Sequence, residues 1–272
     1  MADKTAKIRP FQPGDADEKL FRFTVGKAQM EGLAVANRRS YIHPIFLAVW
    51  AALAAVLVQY LKWWPNPTLP WWTYLKPLPA FAAFLVPLMF IVDLQNRPSF
   101  EDEAQQVLHR QDMIDLQAYY SRSPSSGIWI FEYGSKFVGL LALDASLDAA
   151  LDKTFSTNGT PAQNNAIKKQ FSKKGTSQVA TIRHFYVMEE YRAALAQEDL
   201  LHFAVSQAFT EDHKVKVIKG IDSDLDRWKE AAFTKCGFIV EKGLRSIGLF
   251  GWKVRSRGLT RERWQEIQKK AS

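Results

Sequence analysis

From Pro44 to Leu61 the chain runs 18 residues without a charge, PIFLAVWAALAAVLVQYL, and Ile42 and His43 bring the stretch to the roughly 20 residues that cross a hydrocarbon core. No polar residue recurs within it at helical spacing, so as a soluble helix it would have no face to offer water. A second apolar run, Pro77 to Val92, is interrupted by Pro79 and Pro87. Its 16 residues are short for a straight crossing, and membrane helices tolerate proline, so a kinked, tilted or re-entrant span is expected. Trp63, Trp64, Trp71 and Trp72 lie between the runs, where an interfacial aromatic belt would sit; a packed aromatic core is the alternative. Two spans return the chain to the side it left. Arg38, Arg39 and Arg97 flank the spans, whereas the connector carries Lys62 and Lys76, so the positive-inside bias puts both termini in the cytosol.

This divides the chain into 1–41 and 95–255, which would build one domain together, a transmembrane hairpin over 42–94, and a basic tail over 256–272. The net charge of +8 suits a polyanion or an anionic lipid surface. Zinc spacing, RNP motifs and a concentrated basic helix are absent, so no nucleic-acid partner is expected. Cys236 is the single cysteine, which excludes an intrachain disulfide, and the histidines have no metal-ligand spacing, so no metal is expected either.

Lys7 to Phe11 reads as a strand halted by Pro13-Gly14, and the apolar face of Phe21, Val25, Ala28 and Val35 predicts a helix from Asp15 to about Asn37. After the hairpin, Phe100 to Tyr120 reads as a helix ended by Ser123–Gly127, followed by strands at Ile128–Tyr133 and Phe137–Leu143. Residues 144 to 176 read as an exposed insertion, whose lysine pairs Lys168-Lys169 and Lys173-Lys174 either touch lipid headgroups or are simply solvated. The run TIRHFYV to Val187 reads as a buried strand. It leads through MEEYRAALAQ into an amphipathic helix with Leu201, Ala204, Val205 and Ala208 on one face. Then come a strand at Val215–Ile218, a helix at Asp222–Cys236 closed by Gly237, and strands at Phe238–Val240 and Ile247–Val254. The fold class is mixed α/β.

Three segments carry a resemblance: Ile8-Arg9-Pro10-Phe11-Gln12-Pro13-Gly14-Asp15; Val187 with Tyr191-Arg192 before a helix; and Ala231-Ala232-Phe233-Thr234-Lys235-Cys236-Gly237-Phe238. In order and spacing they are similar to the first strand, the V-x-P-x-Y-R-G-x-G-x-G/A loop and the A-x-x-L-Y-x-x-x-G-F signature of the GNAT (Gcn5-related) N-acetyltransferases. The hairpin's position resembles the camello-like type anchored in the endoplasmic reticulum. The architecture also resembles fungal endoplasmic-reticulum proteins that assist export of a phosphate transporter.

The resemblance implies acetyl-CoA as cofactor, its pyrophosphate held by the backbone of Val187, Arg192, Ala193, Ala194, Leu195, Ala196 and Gln197. The glycines that let backbone approach a phosphate are here Ala193, Leu195 and Gln197. Phe233 stands at the position of the thiolate-protonating tyrosine and Asp226 at that of a frequent asparagine. Arg183 and His184 lie on the central strand where the family often has an acidic residue, so His184 is the candidate base. Two functions stay open: an acetyl-CoA-dependent N-acetyltransferase, or a catalytically inactive relative that binds or packages a membrane-protein client such as a phosphate transporter.

Overall fold

The computed structural model describes residues 5–65, 70–149 and 174–271. The chain forms two compact units, one of Met1–Gln29, Glu103–Ser246 and Trp252–Ser272, the other of Met30–Asp102 and Ile247–Gly251. The strands are β1 (Ala6–Pro10), β2 (Gly127–Tyr133), β3 (Lys136–Ser146), β4 (Thr176–Val187), β5 (Val217–Ser223), β6 (Ile239–Ile247) and β7 (Trp252–Thr260). The helices are α1 (Asp15–Tyr41), α2 (Pro44–Tyr60), α3 (Leu78–Leu108), α4 (Leu116–Tyr120), α5 (Glu189–Arg192), α6 (Ala196–Glu211), α7 (Arg227–Lys235) and α8 (Arg261–Ala271).

The first unit is built on a seven-stranded sheet in the order β1-β2-β3-β4-β5-β7-β6. Pairing is antiparallel from β1 to β4 and between β5 and β7, and parallel between β4 and β5. The apolar run of β3 is buried from Val138 to Ser146 because both faces of the sheet are covered. On one face Leu141 and Leu143 pack with Leu200, Leu201, Ala204 and Val205 of α6, Phe233 of α7 and Trp264 of α8. On the other, Leu140 and Ala142 meet Phe21 and Val25 of α1, Val107 of α3, and Leu116, Tyr119 and Tyr120 of α4.

The parallel pair is short, comprising only Val179↔Val217, Ala180↔Ile218 and Thr181↔Lys219. Beyond Thr181, β4 stays with β3 as far as Val187↔Gly139, while β5 goes on beside β7. The two strands therefore part from Ile182 onward and leave a wedge in the sheet.

In the second unit, α2 starts with Pro44 in its first turn, and His43 caps it by accepting the Ile45 N–H at 3.3 Å. The Trp50 indole N–H donates to the Phe81 carbonyl of α3 at 2.8 Å. At the other end, Asn37 donates to Asp93 at 2.7 Å, Asn96 donates to Asn37 at 2.8 Å, and the Leu249 N–H donates to Asn96 at 2.7 Å. Within Trp71–Leu108 one helix is long and apolar enough to cross a membrane, and only 11% of its apolar window is buried. The 17 residues of α2 rise roughly 25 Å, short of a hydrocarbon core of about 30 Å, and α2 reaches spanning length only together with α1, from which it is bent by 54°.

Several sequence expectations change. The first helix runs on to Tyr41, with Arg38 and Arg39 in its last turn, where cations suit the helix dipole. The second apolar run and the start of the expected Phe100–Tyr120 helix form one helix, α3, with Pro87 and Pro98 inside it. Each proline removes one N–H, and a long helix with other support survives that loss. Past Leu108 the chain makes a 3-10 turn at Gln111–Met113 and restarts as α4. Asp222 and Ser223 end β5 and do not begin a helix; α7 starts at Arg227. The last hairpin turns at Gly248 and Gly251, whose φ values of 73° and 66° favour glycine, so β6 and β7 are longer than the runs expected.

Within 256–272 the chain is a strand end followed by a helix. Ser256–Thr260 complete β7, and α8 is amphipathic, with Trp264 buried in the core. The Arg257 guanidinium pairs with Asp222 at 2.7 Å, and Arg263 donates to the Gly237 carbonyl at 2.7 Å. Within 144–176, Asp144–Ser146 belong to β3 and Thr176 to β4; Lys168, Lys169 and Lys173 lie outside the described residues.

Candidate functional site

The sequence places cofactor binding on Val187 and Arg192–Gln197, from the end of β4 into α6, and aromatic rings pack beside the end of β4. Phe185 of β4 lies 5.3 Å from Trp228 and 5.9 Å from Phe233, edge to face or tilted, and Tyr186 lies 6.5 Å from Trp228. A Cβ on Gly220 of β5 would come within 2.6 Å of the Phe233 ring, so this glycine makes the room the ring occupies. Arg192 packs beside these rings: its Nε donates to the Val187 carbonyl at 2.8 Å, and its guanidinium lies 4.5 Å over Trp228 and 5.6 Å over Tyr186.

The loop after β4 keeps one feature of a glycine-rich turn. Leu195 sits at φ 61°, a left-handed conformation that costs a non-glycine residue about 1 kcal/mol. Two backbone donors of this loop are used locally. The Ala194 N–H goes to the Tyr191 carbonyl at 3.1 Å and the Leu195 N–H to the Arg192 carbonyl at 3.1 Å. Gln197 is buried and turned back, donating to the Arg192 carbonyl at 3.2 Å. The first turn of α6 carries Glu198 and Asp199, with Lys235 on Glu198 at 2.5 Å. Carboxylates already occupy the positive end of this helix, and a pyrophosphate there would meet like charge. Ala193, Ala194 and Leu195 are exposed, and Ala196 and Val187 are buried in the core. The ring packing beside the loop and the acidic first turn of α6 weigh against acetyl-CoA along this segment.

Arg183 and His184 lie one behind the other on the opposite face, at a shift in the β3–β4 register. Ile182 opposes Leu143 and His184 opposes Ala142, so Arg183 is the extra residue. His184 is buried under the edge of Phe21, 5.3 Å away, and its ring nitrogen lies 2.7 Å from Asp112. Tyr120 donates to the same Asp112 oxygen at 2.9 Å. Arg183 reaches Asp144 at 3.1 Å, and Asp144 also accepts from the Tyr119 hydroxyl at 3.0 Å and from Ser146 Oγ at 2.5 Å. Arg122 stacks 3.9 Å over the Tyr119 ring and bridges to Asp148 at 3.0 Å.

Asp112, Asp144, Tyr119, Tyr120 and Arg122 escaped the sequence reading, although Asp144 inside the apolar run GLLALDAS carries the signal of a buried, paired charge. Burial alone would raise the Asp112 carboxyl, but His184, Arg110 and Arg183 outweigh it and hold Asp112 below the ordinary range. Burial pushes His184 down further than Asp112 draws it up, so the neutral ring donates its Nε2–H to the carboxylate. A base must reach a substrate proton, and this imidazole is committed inside the core. Burial and the nearby Glu198 carboxylate push the Cys236 thiol up to about 12, so it holds no thiolate at neutral pH. Among the described residues no group of three or more His, Cys, Asp or Glu side chains is placed to hold a metal ion.

The Asp112–His184 pair sets a pH dependence. Both groups are depressed in the fold, so their stabilisation is complete above their unfolded values, about 6.5 for His and 3.9 for Asp, and is lost as pH falls. The thermal unfolding midpoint is expected to be level from pH 8 to 7, to drop from pH 6.5 to 5, and to drop again below 4. In His184→Gln, whose amide still donates to Asp112, the drop between pH 6.5 and 5 should shrink; an unchanged profile in the variant would assign it to other groups.

No family model matches the chain, and no curated protein matches it. Among solved structures it is similar to spermidine N-acetyltransferase from Vibrio cholerae in complex with CoA and spermine, at 9% identity and a TM-score of 0.45 over 96% of this chain and 98% of that one. It is also similar to IAA acetyltransferase from Bacillus cereus ATCC 14579, at 14% identity and a TM-score of 0.35 over 57% and 90%. A probable acetyltransferase matches at 13% identity and a TM-score of 0.36 over 51% of this chain, which spans 64% of that structure's length. Likenesses of this size leave the chemistry of this chain to its own residues.

Proposed function

We propose that this chain is a membrane-held protein with an acetyltransferase-like domain that binds a membrane-protein client and does not transfer acetyl groups. The observation that carries this reading is the packing of Phe185, Trp228, Phe233 and Arg192 beside the segment that the resemblance assigns to acetyl-CoA. Phe233 offers no proton to a leaving thiolate, and Asp112 holds His184 away from any substrate. For membrane attachment the support is the outward face of the hairpin: Ile45, Leu47, Val49, Leu53 and Val56 on α2, and Val86, Phe90 and Ile91 on α3, are exposed and apolar. Trp64, Trp71 and Trp72 are exposed in the connector, as an interfacial belt would be.

In this reading the hairpin spans twice, both termini are cytosolic, and the endoplasmic reticulum is the membrane. The client would be a membrane protein in transit, of the kind a phosphate transporter represents. One observation favours acetyl transfer instead, the left-handed backbone of Leu195, which keeps the turn a glycine would make.

Calorimetric titration decides between them. Protein that stays with membranes through alkaline carbonate extraction, and is then purified in detergent, is expected to give no saturable heat with acetyl-CoA or desulfo-CoA up to millimolar ligand. Micromolar saturable binding accompanied by acetyl transfer to an amine would overturn the non-catalytic reading, and release of the protein by carbonate would overturn the two spans.

A further inference from the structure

β6 ends the sheet, and every residue along it from 239 to 246 is exposed, with Ile239, Val240 and Leu244 each about half exposed. A strand edge is a row of backbone donors and acceptors that can template another strand. Chains that avoid this keep the edge short, break it with proline or a bulge, or charge it, and the charges on β6, Glu241, Lys242 and Arg245, are of both signs. β6 is nine residues long and contains no proline.

The order of charges along β6 selects the partner. Glu241 and Arg245 stand two residues to either side of Gly243. An antiparallel second copy centred on Gly243 sets Glu241 opposite Arg245 twice, Lys242 opposite Leu244, and Val240 opposite Ser246. A parallel in-register copy would set Glu241 on Glu241 and Arg245 on Arg245, and a slip of two residues would lose both opposite-charge pairs. The present partners of these side chains, Lys219 on Glu241 at 3.0 Å and Glu103 on Arg245, are exposed ion pairs of small worth. They leave room for more, since a carboxylate accepts several hydrogen bonds and a guanidinium donates five.

We propose that the outer edge of β6 pairs antiparallel with β6 of a second copy of this chain, with Gly243 on the twofold axis, joining the two sheets edge to edge.

Full-length protein in detergent, measured by sedimentation velocity and cysteine crosslinking, tests this. Residues directly opposite in an antiparallel pair lie about 4.5–5.5 Å apart at Cα, within disulfide range, so Gly243→Cys should link to its own copy under copper–phenanthroline oxidation. Val240→Cys, which the same register sets roughly 20 Å from its counterpart, should not link. The native Cys236 is buried and serves as the background. Glu241→Lys should raise the dimer dissociation constant about tenfold, and adding Arg245→Glu should restore it. A monomer at all concentrations, equal linking of both cysteines, or no rescue in the double variant would overturn the proposal.

Discussion

Asp144→Ala is expected to lower the stability of the sheet unit by about 3–5 kcal/mol, the cost of removing one partner from a buried ion pair. Asp144 is wholly buried and gathers the Arg183 guanidinium, the Tyr119 hydroxyl and the Ser146 side chain and N–H. Without the carboxylate, Arg183 keeps a bond to the Ala149 carbonyl at 3.1 Å but loses its nearest anion. For a chain of this size each kcal/mol moves the midpoint about 2–4 °C, so a drop of roughly 6–20 °C should appear in a thermal scan of the detergent-purified protein. Asp144→Asn, which keeps an acceptor and loses the charge, should fall between. The double variant Asp144→Leu/Arg183→Met should recover most of the loss, because a buried pair replaced as a whole can be nearly neutral. A single variant within 1 °C of the wild type would show that the cluster does not hold the sheet to α4.

This cluster also marks where sequence reading stops. The mixed α/β class, the uncharged α2 and the strand-to-helix passage at 181–209 could be read because apolar periodicity and turn residues act locally. The partner of a buried charge is set by tertiary placement. Asp112 and His184 are 72 residues apart, and Asp144 and Arg183 are 39 apart. The extra residue at Arg183, which brings it and His184 to the same carboxylate cluster, leaves no mark in an alternating apolar run. At Leu195 the sequence misled in another way. The lost glycine marked a hindered approach for a phosphate, yet leucine takes the glycine-type φ, and Arg192 of the motif is drawn over Trp228, a residue outside the motif altogether.

Deleting Arg261–Ser272 should prevent the sheet unit from folding, although composition alone makes this segment look like a dispensable basic end. Arg261 donates to three carbonyls at once, Phe209 at 2.6 Å, Asp212 at 2.8 Å and Val215 at 2.9 Å, and so closes the C-terminus of α6 where carbonyls lack helical partners. Its loss is expected to cost on the order of 2 kcal/mol, as hydrogen bonds to a charged donor do. Trp264 fills the core beside Phe209 and His202, and Trp264→Ala should cost about 3–5 kcal/mol. Together these reach the lower part of the 5–15 kcal/mol that holds a typical domain. The full deletion should therefore yield protease-sensitive or aggregated material, with each point variant visibly shifted in a thermal scan. Stopping the chain after Gln268 removes only the exposed Lys269 and Lys270 and the two residues that follow, and keeps the Gln268 contact to His202. That shorter deletion should melt like the wild type. If it instead reduced membrane retention without moving the melting midpoint, the terminal lysines would be lipid contacts, and the role of α8 would extend beyond closing the fold.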